Sequence, residues 1–251
     1  LIVSNAVTVQ ANAEGAIKTI SATLAGGKDY AGAGSFSVNT LNADIHALYD
    51  STSDTGGRNS LRGTAGTLRV LASGTGTIES FAGAVSGAGT GAIGGALAIN
   101  RLGEGSARHR VRASLQDIDL LAPASVEVDA SLTSSIGSAA VSGSGSGTVS
   151  LTGSVTTNTI EAEVQAQMLQ AHQTAHAGMV TVRSTNDADI SSLAGSVSGA
   201  GQNAVGVAVA TNAIGGEVSS TVTDSTLAGS GAVVVEATTS GTLKSAAAGM
   251  A

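Results

Sequence analysis

The chain has 251 residues, of which 35 are glycine and one is proline, with no cysteine, only 2% aromatic and 12% charged residues, and a net charge of −7. That balance argues against a nucleic-acid partner, which needs a basic face, and no apolar run approaches the roughly 20 residues of a transmembrane helix. A mean hydropathy of +0.27 sets disorder aside, and an apolar fraction drawn from Ala, Val and Ile suits a narrow interior better than a wide one.

Taken from the start, the chain repeats itself. A Val-x-Val-like element recurs at Val7–Val9, Leu68–Val70, Val126–Val128, Val180–Val182 and Val233–Val235, at spacings of 61, 58, 54 and 53 residues. An asparagine lies 32 positions after each of the first four: Asn39, Asn100, Asn158 and Asn212. Further columns keep this register: Ile17, Ile78, Ile136, Ile190 and Leu243; then Gly26, Gly87, Gly145 and Gly199; then Leu41, Leu102, Ile160 and Ile214. The chain therefore divides into four repeats, 7–67, 68–125, 126–179 and 180–232, with a partial fifth at 233–251.

All variation in length falls between each asparagine and the next Val element. The four constant stretches carry 11 charged residues, whereas the variable ones carry 16, with all four histidines and Pro123. Insertions confined to one region are the mark of loops on one side of a repeat architecture, so residues 50–63 and 103–110 are expected to protrude. Period-2 alternation, as in Val205–Ala210, predicts β-strands, about four of five to eight residues per repeat. A short helix over Glu161–Ala171 is the one other element that the pattern allows.

Weak half-repeats, with Val180, Val207 and Val233 spaced 27 and 26 apart, predict two coils per repeat. The fold class expected is all-β: a single parallel β-helix, or β-solenoid, of about nine coils. At a spacing of about 4.8 Å it would be a rod roughly 40 Å long.

The stretch Ser191–Gly201, followed by Ala204–Asn212, resembles the repeats of large filamentous adhesins, the filamentous-haemagglutinin-like and leukotoxin-type surface proteins of Gram-negative bacteria. The resemblance extends over nearly the whole chain. It implies a parallel β-helix, export to the cell surface, and a role in adhesion or matrix building, and it brings no catalytic residues with it.

The candidate sites lie mostly in the variable stretches. Arg108, His109, Arg110 and Arg112 form the one basic cluster, a candidate for sulfated glycans or another acidic surface; as strand residues its arginines would alternate outward, balanced by Asp117 and Asp119. His172 and His176 have the i, i+4 spacing of a metal pair on a helix, but no cysteine or close carboxylate completes the set. Asp187 and Asp189, beside Asn186, are expected in a solvated turn. Asp117 and Asp119 have the spacing of an acid/base pair on one strand face, without an aromatic sugar platform.

Asn39, Asn100, Asn158 and Asn212 are expected at left-handed turns. Apolar parity switches there, and two coils per repeat would hold them about 9.6 Å apart, too far for an amide ladder. Neither a catalytic set, a metal set nor a cofactor is expected. The function expected is that of a structural or adhesive segment of a longer secreted or cell-surface fibre, its partners being further repeats or copies of itself end to end, and surface glycans. The alternative is a glycan-binding or polysaccharide-cleaving β-helix module.

Overall fold

The computed structural model describes residues 6–50, 59–62, 66–105, 108–121, 125–173, 178–228 and 231–251. Within them the structure is all-β. The first repeat supplies β1 (Val7–Gly27), β2 (Tyr30–Leu41), β3 (Asp44–Asp50) and β4 (Asn59–Arg62). The second supplies β5 (Thr67–Ala88), β6 (Gly91–Leu102), β7 (His109–Gln116) and β8 (Ile118–Leu121). The third supplies β9 (Ser125–Ser146), β10 (Val149–Leu169) and β11 (His172–Gln173), and the fourth β12 (Val180–Ala200), β13 (Asn203–Thr223) and β14 (Thr226–Leu227). The fifth begins with β15 (Val233–Met250).

Every pairing is parallel, and the strands form three sheets. The first has the order β1-β5-β9-β12-β15. In the second, β10 runs beside both β6 and β7 on one side and β13 on the other, with β2 and β3 beyond. The third, narrow sheet is β14-β11-β8-β4. Each repeat therefore passes once through all three sheets before the next repeat lies against it.

Two expectations change here. Neighbouring strands are a full repeat apart in sequence: Val7 pairs with Leu68, Leu68 with Val126, Val126 with Val180 and Val180 with Val233. There is one layer per repeat, not two. Five first-sheet strands at about 4.8 Å span only about 19 Å, whereas a 21-residue strand is about 70 Å long. Among the described residues the first two repeats hold four strands each, the number expected, but β1, β2, β5 and β6 run to 12–22 residues; the third and fourth repeats hold two strands of 21 or 22 residues and one of two. Residues 161–169, expected as a short helix, belong to β10.

The asparagine expectation is corrected as well. Asn39, Asn100, Asn158 and Asn212 lie inside β2, β6, β10 and β13 rather than at left-handed turns. Stacked one layer apart, their amides form a ladder: Asn39 Nδ2 donates to Asn100 Oδ1 at 2.8 Å, Asn100 to Asn158 at 2.8 Å, and Asn158 to Asn212 at 2.7 Å. Among the described residues the left-handed positions other than glycine are Asp117, Gln170 and Asp224, with φ of 50°, 52° and 49°, at the bend from the second sheet into the third. The insertions also differ from expectation. Asn59–Arg62 is a strand of the third sheet, and His109 and Arg110 open β7, so neither expected loop is a loop over its whole length. Residues 51–58 lie outside the described segments.

The interior changes along the strands. At the wide end, Leu68, Val70, Val126 and Val128 pack with Val111, Leu115, Ile118 and Leu120, all buried, in one aliphatic cluster. A belt of Ile78, Ile136 and Ile190 against Leu102 and Ile160 follows. Beyond it the buried apolar residues are alanines, among them Ala82, Ala84, Ala96, Ala98 and Ala140. Serine and threonine fill the rest of that end: Ser35 Oγ donates to the Ser21 carbonyl at 2.8 Å, and Thr23 Oγ1 to the Gly34 carbonyl at 2.8 Å, each across to the other sheet. So short a side chain reaches opposing backbone only where the sheets lie closer than the usual 10 Å or so. At Gly94, a Cβ would stand 2.9 Å from the Gly143 carbonyl oxygen, so no larger residue fits. The section is a wedge, aliphatic at the base and thin at the tip.

The apolar parity switch has its cause in this wedge. Alternation is unbroken along β5, but the large residues change sides: Ile78 is fully buried, whereas Val85, on the same strand, is 53% exposed. Likewise Leu97 and Ile99 face outward, while Asn100 and Leu102 face inward. Two substitutions on β5 test this arrangement. Ile78→Ala should cost about 2–4 kcal/mol, and Val85→Ala should stay within about 0.5 kcal/mol, both read from urea midpoints at unchanged m-value. Equal losses would contradict the assignment of faces.

Candidate functional site

The basic cluster opens β7, which runs between β3 and β10. Strand alternation splits it, with Arg110 and Arg112 outward and His109 and Val111 inward. Arg110 Nη2 lies 3.1 Å from Glu163 Oε2 and its Nη1 3.4 Å from Asp44 Oδ2, while Arg112 Nη2 lies 3.1 Å from Glu163 Oε1. The balancing acids thus come from the neighbouring layers, not from Asp117 and Asp119. Two cations and two carboxylates cancel, leaving a neutral network where the sequence alone suggests a cationic patch. Arg108 sits half-buried just before the strand.

Burial of Glu163 favours its neutral acid, but the hydrogen bonds from Arg112 and Arg110 and their charges outweigh that. The carboxyl is held below its usual range. His109 is 1% exposed, and neither ring nitrogen has a hydrogen-bond partner. Burial pushes its imidazole below the ordinary value, favouring the neutral ring. Gly76 makes the room: a Cβ there would lie 3.3 Å from His109 Cε1.

The other candidates are dispersed. His172 is in the third sheet, paired with Asp119 and Thr226, and His176 lies outside the described residues. Asp117 occupies a left-handed bend and Asp119 the following strand β8, so the two do not share a strand. Asp187 and Asp189 face outward in the middle of β12 rather than in a turn, and Asp187 Oδ1 accepts from Ser240 Oγ at 2.9 Å. Among the described residues no group of three His, Cys, Asp or Glu could hold a metal ion, and no helix is long and apolar enough to cross a membrane.

What the sequence analysis missed is the outside of the thin end. On the outer face of the first sheet, Ile20, Phe81, Ala139 and Leu193 make one column and Leu24, Val85, Gly143 and Val197 another. Between them runs Ala22, Gly83, Val141 and Gly195, and beyond them the glycines 26, 87, 145 and 199. Ile20 and Leu24 are 84% and 82% exposed. The outer face of the second sheet is also apolar there, with Phe36, Leu97, Val155 and Val209 in one column. The signal available in sequence was the odd spacing from buried Ile78 to Phe81 and Val85 on an unbroken alternation.

No family model matches the chain, and neither a curated protein nor a solved structure matches it.

His109 and Glu163 each cost the chain stability on the acid side, in two windows, whereas Asp129, whose carboxyl burial pushes up, works the opposite way in the lower one. A histidine with a lowered folded pKa adds stability above the unfolded value of about 6.5 and loses it as pH falls below. A carboxylate with a lowered folded pKa adds stability above the unfolded value of about 4.3 and loses it as pH falls through the folded one. Urea midpoints are therefore expected to decline below about pH 6.5, and His109→Leu should flatten that decline. Glu163→Gln should be less stable than the parent at neutral pH and converge with it only as pH falls through the lowered folded pKa of Glu163. An unchanged upper window in His109→Leu would contradict this account of the buried ring.

Proposed function

We propose that the chain is a parallel β-solenoid and serves as a structural or adhesive segment of a secreted or cell-surface fibre, without a catalytic role. The observation that carries this reading is the stacking of five repeats, position upon equivalent position, with an amide ladder through four of them. Such a body grows by adding repeats without altering the layers already present, because each layer contacts only its neighbours. Length is then a free variable, which is what a spacer or fibre requires. The resemblance of Ser191–Gly201 and Ala204–Asn212 to filamentous adhesin repeats points the same way. The end strands present backbone groups suited to further layers of the same kind, so further repeats or copies are the fitting partners along the axis.

The test is location together with inertness. Antibodies raised against the chain are expected to label intact cells of the source organism, or their shed fibres, without permeabilisation. Incubation with a panel of sulfated and neutral polysaccharides should release no new reducing ends. Labelling confined to permeabilised cells would overturn the surface assignment, and chain cleavage lost on substitution of Asp119 would favour a polysaccharide-cleaving module.

A further inference from the structure

We propose that the outer face of the first sheet at the thin end is a lateral docking surface for a second copy of this chain, the two faces meeting with their strands antiparallel. The argument rests on the relief of that face. Alternate residues of a strand share one side, so the face is a set of columns two residues apart, each running across the layers. A two-fold axis along the stacking direction, midway between the Ala22 and Leu24 columns, reverses strand direction and keeps the layers level. It sets each column against a different one of the partner.

Under that operation the Leu24 column faces the Ala22 column. Val85 meets the partner's Gly83 and Val197 meets Gly195. In the third layer large and small residues are exchanged in both columns at once, so that Gly143 meets Val141. The next columns outward match in the same way: Phe81 faces the partner's Gly87, and Leu193 faces Gly199. At Gly26, Gly87, Gly145 and Gly199 an added Cβ would meet nothing within 4 Å, so that column is an open groove. One adjustment is needed. The Phe81 ring leans over Gly83, where a Cβ would come within 2.8 Å of it, and it must swing toward the partner's groove, a rotamer change common on association.

Area and charge favour the same occupant. Five strands about 4.8 Å apart and seven residues at about 3.3 Å give roughly 550 Å² on each copy, or about 1,100 Å² in total. That clears the roughly 1,000 Å² expected of a specific interface. The contact is self-complementary and closes as a pair, as a two-fold interface must. No charged residue lies in the four facing columns. The antiparallel arrangement carries the charge-bearing wide ends of two acidic chains away from each other. On the outer face of the second sheet a two-fold between the Gly34 and Phe36 columns also sets Leu97 against Gly95 and Val155 against Gly153, but it brings Val209 against Val207 and Ile99 against Ile93, so large residues collide in the fourth layer and in the next column.

Sedimentation of the 251-residue chain over a concentration series is the test, with three variants. A reversible dimer is expected, weakened at least about tenfold by Val85→Asp, which buries a charge in an apolar contact. Val207→Asp, on the opposite face, should leave it unchanged. Because the chain has no native cysteine, a mixture of Phe81→Cys and Gly87→Cys chains can be treated with a short bis-maleimide, which should link one variant to the other in preference to like with like. Association blocked by Val207→Asp instead, linkage of Phe81→Cys to itself, or polymers indifferent to Val85→Asp would each overturn the proposal. So would a chain that stays monomeric and floats with phosphatidylcholine vesicles through the same face.

Discussion

Parallel pairing of each repeat on the next, without slippage, sets the terms for the rest of the molecule. Each residue of an inner strand meets its own equivalent above and below, so such a position must tolerate a neighbour of its own kind. Asparagine suits such a column, since each amide donates to the next and accepts from the last. The ladder from Asn39 to Asn212 satisfies buried polar groups that would cost about 1–3 kcal/mol each if left unpaired. Charges are arranged to the same end. Lys18 pairs with Glu79, Arg69 with Glu127 and Arg183 with Glu236, all across adjacent layers. Among the described residues the one like-charged neighbour pair is Glu163 with Glu217, and there Arg110 and Arg112 both hold Glu163. Exposed pairs of this kind add about 0–1 kcal/mol each, so they act more to forbid a slipped register than to hold the fold together.

The wedge follows from the size of what the two long sheets enclose. Leucine, valine and isoleucine hold the sheets apart at the wide end, where the third sheet closes the space with Ile118 and Leu120. Toward the tip, alanine, serine and glycine let the sheets approach until a hydroxyl on one bonds backbone on the other. So thin an interior cannot take Phe81, Val85, Leu97 or Ile99, and these residues face out. The result is a body polar outside and aliphatic inside at one end, with the reverse at the other. The apolar outer faces sit beside the ladder, which keeps the thin end in register where hydrophobic burial contributes least.

The repeat and its columns were legible in the sequence. The pairings of Ile17, Ile78, Ile136, Ile190 and Leu243, and of the four glycines from Gly26 to Gly199, are the columns found by counting. The number of layers was not. Val180 and Val182 face inward from the first sheet, whereas Val207 and Val209 face outward from the second, so the apparent half-repeat matched two opposite faces. The same inversion disguised long strands as short ones and made a mid-strand asparagine resemble a corner. Alternation reveals that a strand has two faces, but not which one is buried. The basic cluster was legible as a strand with alternating arginines. Its partners Asp44 and Glu163 were not, because they come from layers 66 and 53 residues away.

One layer per repeat is the claim on which the ladder, the wedge and the apolar faces all depend, and a disulfide tests it directly. Thr75 and Thr133 are paired on adjacent strands and face outward, so their Cα atoms fall within the roughly 4.4–6.8 Å that a disulfide spans. In a chain without native cysteine, Thr75→Cys/Thr133→Cys should close an intramolecular disulfide on mild oxidation of a dilute sample, and the fold should be retained. Two layers per repeat would separate the pair by about 9.6 Å. Failure of this pair to close in the folded protein, while it still forms disulfides after unfolding, would contradict the account.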